Sequence, residues 1–195
     1  MAVRLKLPYG TLSYPALAEP RKVGDATKAT YSCVIIFPED TDLSELEEAC
    51  KAAAVEKWGE ERTAKMIKAK ALKWPIKSGD EYSAKKDGQE FYEGKQFVNL
   101  KSEDQPGLVG PRAGPDGRPQ SLSPNEFYPG CTVRASVAVY PFDHPQGGKG
   151  VGIGLNNLQF VKHGDRLDNR RRAEDDFDVI TEDADELEDA INPLD

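Results

Sequence analysis

A chain of 195 residues is long enough for one domain with a full hydrophobic core and short for two. Charged residues make up 31% and apolar ones 38%, a mixture that suits a globular body with unfolded chain attached. The net charge of -8 is unevenly spread: residues 174–195 hold 11 acidic and no basic side chains, which leaves 26 basic against 23 acidic, a net of +3, for the remainder.

These figures exclude several classes. The longest apolar stretches, such as Cys33 to Phe37, fall far short of the roughly 20 residues that cross a bilayer. The opening Met1-Ala2-Val3-Arg4-Leu5-Lys6 lacks the apolar core of a signal peptide. Three cysteines with no CxxC pair do not make a disulfide framework. The expectation is a soluble, reduced, intracellular protein with no membrane contact.

In chain order, Val3, Leu5 and Leu7 alternate with Arg4 and Lys6 as a first strand, which resumes at Thr11-Leu12-Ser13-Tyr14. Thr30 to Phe37 is β-branched and aromatic and stops at Pro38. The period then changes. Leu43, Leu46, Ala49/Cys50, Ala53 and Trp58 recur every three or four residues and predict an amphipathic helix. Asp42 with Glu45 resembles a capping box at its start, and Gly59 is a natural stop. Glu60 to Leu72 predicts a second helix, ending before Trp74-Pro75.

Short strands follow at Glu90-Phe91-Tyr92 and at Gln96 to Leu100. Residues 103–126, with five Pro and four Gly, read as a loop whose clearest turn is Pro115-Asp116-Gly117-Arg118. Thr132 to Tyr140 alternates cleanly: Val133, Ala135, Val137 and Val139 face one way, and Arg134, Ser136, Ala138 and Tyr140 the other. A turn at Gln146 to Lys149 leads into Val151, Ile153 and Leu155, interleaved with glycines, as a hairpin. Short strands, turn clusters and a helical insert predict a mainly β fold, a small barrel or sandwich carrying a helix. The charge block beyond Asp168 predicts a disordered acidic C-terminal tail.

Catalytic and metal signals are weak. The cysteines stand 17 and 81 residues apart, without the close ligand pairs of a structural zinc site, and core positions suit them better. No metal or other cofactor is expected. Gly148 to Gly154 is glycine-rich but lacks GxxxxGK[ST] and a following helix. Its bare strand face favours packing against another backbone over ligand approach. No Ser-His-Asp order, nucleophile elbow or HExxH occurs. Asp143 and Asp165 are the acidic pair on which a metal-dependent nuclease or repair enzyme would rest.

Basic residues interleaved with aromatic ones are more informative. Between Lys57 and Lys101 lie 11 basic and 7 acidic residues together with Trp58, Trp74, Tyr82, Phe91, Tyr92 and Phe97. Cations that follow phosphates beside rings that stack on bases are how single-stranded nucleic acid is held. Trp58 and Phe97 read as core. Lys77, Lys95, Lys101 and Arg134 are the phosphate candidates, and Trp74, Tyr82, Tyr92 and Tyr140 the stacking ones. The tail would compete with DNA as a tethered polyanion and be released for other proteins on binding. An adaptor working through that tail alone is the remaining alternative.

Several segments in order resemble the bacteriophage single-stranded DNA-binding proteins with an OB fold: Gly10 to Pro15, Tyr31 to Pro38, Lys57-Trp58-Gly59, Gly79-Asp80-Glu81, Phe127 to Ala135, Gly150 to Asn157, and Glu174-Asp175-Asp176-Phe177-Asp178. The resemblance implies a five-stranded OB barrel over 1–168, with a helical insertion at about 42–72, and a tail over 169–195. It implies single-stranded DNA as partner, a non-catalytic role in phage replication, recombination or repair, and a place in the cytoplasm of the infected bacterial host. It further implies that replication or recombination proteins dock on the tail, through Asp175, Asp176, Phe177 and Asp178. Tails of related systems often end in an aromatic residue, whereas this chain ends Pro193-Leu194-Asp195; Leu187, Ile191 and Leu194 offer an apolar stripe instead.

Overall fold

The computed structural model describes residues 3–22, 28–85, 89–145 and 147–167. The strands are β1 (Val3–Lys6), β2 (Gly10–Arg21), β3 (Thr30–Pro38), β4 (Leu72–Lys73), β5 (Ile76–Ser78), β6 (Lys95–Ser102), β7 (Gly107–Ala113), β8 (Pro119–Ser121), β9 (Thr132–His144) and β10 (Gly148–Lys162). The helices are α1 (Ser44–Trp58), α2 (Glu60–Lys68) and the short α3 (Gly79–Ser83).

Five of these strands close on themselves. β9 pairs with β2, β2 with β3, and β3 with β6, all antiparallel; β6 pairs in parallel with β10, and β10 returns antiparallel to β9. This ring is the five-stranded barrel of an OB fold. The alternation read from the sequence fills its interior: Cys33, Ile35 and Phe37 of β3, Val98 and Leu100 of β6, and Val133, Ala135, Val137 and Val139 of β9 are all buried. On β10 the inward set is Val151, Ile153 and Leu155, then Leu158 and Phe160. A bulge between Leu155 and Asn157 shifts the phase and keeps both runs inside.

α1 lies against β9 and β10 and buries Leu46, Ala49, Cys50, Ala53 and Ala54. At its start the Asp42 carboxylate accepts the Ser44 N–H at 2.9 Å; hydrogen bonding to the Ser44 side chain, and then to that N–H, holds the carboxyl below its ordinary range. Gly59, at φ +81°, separates α1 from α2, and the buried Thr63 hydroxyl ties them by donating to the Ala54 carbonyl at 3.1 Å. Among the described residues no helix is long and apolar enough to cross a membrane.

Three expectations need correction. Glu90–Tyr92 is a 3-10 turn, closed by the Tyr92 N–H on the Gln89 carbonyl. The expected loop over 103–126 contains β7 and β8, with its turn closed by Gly114 and Arg118. β7 is held by parallel pairing to β10, a partner some 50 residues on that local composition does not report. The second helix stops at Lys68, short of the expected Leu72: Lys70 turns at φ +50°, Leu72–Lys73 is β4, paired with β10, and β5 beyond Trp74-Pro75 pairs with β6.

Candidate nucleic-acid interface

The outward faces of β3 and β6 form the floor of a groove. Ser32, Val34 and Ile36 alternate with the inward residues of β3, and Phe97, Asn99 and Lys101 with those of β6. Two connected hollows of 420 and 830 Å³ run along this face and share Tyr14, Val34, Tyr82 and Asn99. Arg21 and Lys101 line the smaller; Lys70, Trp74, Lys77 and Lys85 line the larger. Glu81 is the one carboxylate among the described lining residues.

The rings are fixed from below. Ile36, Tyr92 and Phe97 form a small buried cluster, on which Val34, Tyr82 and Leu167 pack. Tyr82 sits with its ring centroid 4.8 Å from Tyr92 and 5.2 Å from Phe97. Its helix α3 is held in place by the Gly79-Asp80-Glu81 segment. The Asp80 carboxylate accepts the Gly94 N–H at 2.7 Å, the Ser78 hydroxyl accepts from Glu81, and Gly79 lies so close to the Tyr92 carbonyl that no side chain fits there. Lys77, on β5, reaches over the Phe97 ring at 5.9 Å from its centroid. Burial, then the like charges of Lys101 and Lys73, push its ammonium group below the ordinary lysine range.

Of the residues expected from the sequence, the groove brings together Trp74, Lys77, Tyr82 and Lys101. Tyr92 needs correction as a stacking ring. It is only 3% exposed, and its hydroxyl donates to the buried Ser13 hydroxyl at 3.1 Å, so it supports the groove from beneath. Burial raises that phenol to about 12. Lys95 is drawn away: its ammonium donates to the Phe91 carbonyl and lies 3.6 Å above the Phe91 ring.

Tyr140 is 42% exposed, and its phenol is raised by burial and by Glu103. Its ring covers Gly152, where a side chain would strike it at 2.7 Å. The bare glycine face of β10 is therefore packed under rings of β9, with Phe142 covering Gly150 in the same way. Arg134 lies elsewhere on β9. Its Nε donates to the Leu7 carbonyl at 3.1 Å, and its guanidinium sits 5.2 Å from the Tyr9 ring centroid.

Tyr14 was missed by sequence reasoning. It lines both hollows, is 56% exposed, and donates its hydroxyl to Gln89 Oε1 at 3.1 Å. Its φ of +45° falls where the β2–β3 register shifts between Ser13 and Ala16. The signal was Pro15 inside a strand, which marks a bulge, and a bulge redirects the neighbouring side chain.

The acidic pair does not converge. Asp143 faces Lys149 at 3.6 Å, while Asp165 lies against Gly130, beyond the opposite end of β9. No cluster of three metal-ligating side chains occurs among the described residues. Cys33, Cys50 and Cys131 are free and buried. The tail residues Asp175, Asp176, Phe177, Asp178, Leu187, Ile191 and Leu194 lie outside the described residues.

A closed five-stranded barrel with a cationic, aromatic groove along its second and third strands is an OB fold of the oligonucleotide-binding class. A family model described as Enterobacter phage Enc34, ssDNA-binding protein matches residues 4–190, and the chain belongs to that family. It is similar to the single-stranded DNA-binding protein from bacteriophage Enc34, solved in complex with ssDNA, at TM-score 0.65 and 20% identity over 85% of this chain and 89% of that one. It is also similar to gp2.5, a single-stranded DNA-binding protein encoded by bacteriophage T7, at TM-score 0.56 and 14% identity over 90% and 93% of the two chains. A curated relative, putative protein p50 of Acyrthosiphon pisum secondary endosymbiont phage 1, is 29% identical over 84% of this chain and 85% of its own.

Proposed function

We propose that the protein is a non-catalytic, sequence-tolerant coat for single-stranded DNA during phage replication, recombination or repair. The observation that carries this reading is the β3–β6 groove, where five cations and the rings of Tyr14, Trp74 and Tyr82 face one carboxylate among the described lining residues. Phosphates follow the cations. Bases stack on the rings, and every base has a π face, so affinity varies little with sequence. Membership of the Enc34 family and likeness to proteins named for single-stranded DNA binding support it.

The acidic tail acts as a tethered competitor for the groove and, when displaced, as a docking segment for replication or recombination proteins. Supporting this, Leu167, the last described residue, packs on the cluster that underlies the groove, so residues 168–195 continue from its edge.

The test is fluorescence anisotropy of labelled oligo-dT with the full chain and with residues 1–173, at two salt concentrations. Tighter binding by the shorter chain, weakened by salt in both, is expected. Absence of binding by either chain refutes the DNA reading and leaves an adaptor role for the tail. Loss of labelled strand only with magnesium refutes the non-catalytic reading.

A further inference from the structure

β1 lies outside the barrel ring, paired to β9 with Lys6 opposite Ser136 and Arg4 opposite Ala138. Residues directly opposite in an antiparallel pair share a face, so Arg4 and Lys6 stand on the outward face that β9 presents through Arg134, Ser136, Ala138 and Tyr140. Along β9, Arg134 and Tyr140 are about 20 Å apart. Between them the floor is low, because Ser136 and Ala138 are small and Gly154 lies opposite Ala138.

The far end of this strip is a built cation-and-ring pair. Tyr9 is 58% exposed, with the Arg134 guanidinium against its ring and the Leu7 carbonyl fixing that guanidinium. The adjoining cleft is lined by Lys6, Arg134, Ser136, Asn157 and Gln159, with no carboxylate among its described lining residues. The near end abuts the groove: a side chain at Gly154 would lie 3.6 Å from the Tyr140 ring and 3.9 Å from the Lys101 carbonyl.

We propose that a single strand seated in the β3–β6 groove continues past Tyr140 and along β9 to a second binding site, where a base stacks near Tyr9 and phosphates meet Lys6 and Arg134. The inference rests on the DNA reading above and extends it. Long strands use both sites, and strands too short to leave the groove use only the first.

The test is an anisotropy titration of the full-length protein with oligo-dT of about 5 and about 16 nucleotides, the range of site sizes for one OB fold. Tyr9→Ala should weaken the long strand by about 5- to 150-fold, the range of one stacked base, and leave the short one unchanged. Lys6→Ala should reduce the log–log salt slope by about 0.7 on the long strand alone. Lys101→Ala, in the groove, should weaken both lengths. Tyr9 and Lys6 are exposed, and a thermal melt of each variant checks its fold.

If Tyr9→Ala and Lys6→Ala change neither length while Lys101→Ala weakens both, this inference fails and the groove stands. Equal losses on both lengths also overturn it. So does altered sedimentation of the free Tyr9→Ala protein with unchanged DNA affinity, which would make this face a contact between copies of the chain. If Lys101→Ala has no effect on either length, the groove reading itself has failed.

Discussion

Removing one groove cation should change salt dependence by a calculable amount. Arg21, Lys70, Lys77, Lys85 and Lys101 line the two hollows. If each neutralises one phosphate of a strand short enough to stay in the groove, the log–log slope of affinity against salt for residues 1–173 is about -3.5, at about 0.7 per contact on a single strand. Between about 50 and 200 mM salt the affinity then falls about 100-fold. Lys101→Ala leaves four contacts, a slope of about -2.8 and a fall of about 50-fold. Lys51→Ala, on the exposed side of α1, is the control and should keep the parent slope. The assay is anisotropy of a labelled oligo-dT at four or more salt concentrations. An unchanged slope for Lys101→Ala, or an equal change for Lys51→Ala, refutes the assignment of phosphates to this groove.

Lys77 adds a pH dependence. Its ammonium group is held below the ordinary range, and a bound phosphate favours the charged form, so binding takes up a proton and affinity should fall as pH rises through the free-protein pKa. Because the folded value is the lower one, the unfolded chain holds this proton more tightly. The cost to folding is full at neutral pH and is lost as pH rises toward the unfolded value. Lys77→Arg stays charged and should flatten the difference in both titrations. Tyr92→Phe should lower stability by about 0.5–1.5 kcal/mol in urea denaturation and leave DNA affinity unchanged, since it removes the bond to Ser13 beneath the floor. Tyr82→Ala should instead weaken DNA by about 5- to 150-fold; the opposite pattern would put Tyr92 at the surface. Burial pushes the thiols of Cys33 and Cys50 up to about 12 and that of Cys131 to about 11. A thiol reagent at neutral pH should therefore label them only as fast as the chain opens, and immediate labelling of any one would contradict its burial.

The barrel was legible where side chains alternate. β3, β6, β9 and the first half of β10 carry a period of two because each has one face inside, and burial selects for that pattern directly. β7 and β8 carry no such mark. Proline and glycine read as loop, and β7 exists through its pairing with Asn157, Leu158 and Gln159. Glu90-Phe91-Tyr92 misleads for the opposite reason, since Tyr92 is there to be buried beneath the groove and Phe91 to carry the Lys95 ammonium, neither of which needs strand geometry. For the site, residue types were informative and directions were not. Lys77 and Lys101 come within reach of each other's charge because β5 pairs with β6, the strand that carries Lys101, an arrangement set by pairing across the chain. Lys95 sits only a few residues from groove-lining positions yet points elsewhere, and Tyr92 reaches the groove only from beneath, because one residue step reverses a side chain on a strand and turns it by about 120° on a 3-10 turn.

The place where the described chain ends bears directly on the proposed competition between tail and DNA. Residues 1–173, of net +3, and residues 174–195, with 11 carboxylates, could be independent parts, but Leu167 lies on the Ile36–Tyr92–Phe97 cluster, seven residues before the acidic run begins. A tethered segment of that length reaches the groove at an effective concentration of order millimolar. When DNA displaces such a segment, the anions leaving the groove are carboxylates of the same molecule, and fewer ions exchange with solvent. The full chain should therefore bind more weakly than residues 1–173 and also show a shallower salt slope, the two curves converging as salt screens the tail. Parallel lines separated by a constant offset would mean that the tail lowers affinity without entering the groove. Coincident lines would mean that it does not compete at all, and its carboxylates would then serve solubility or partner docking alone.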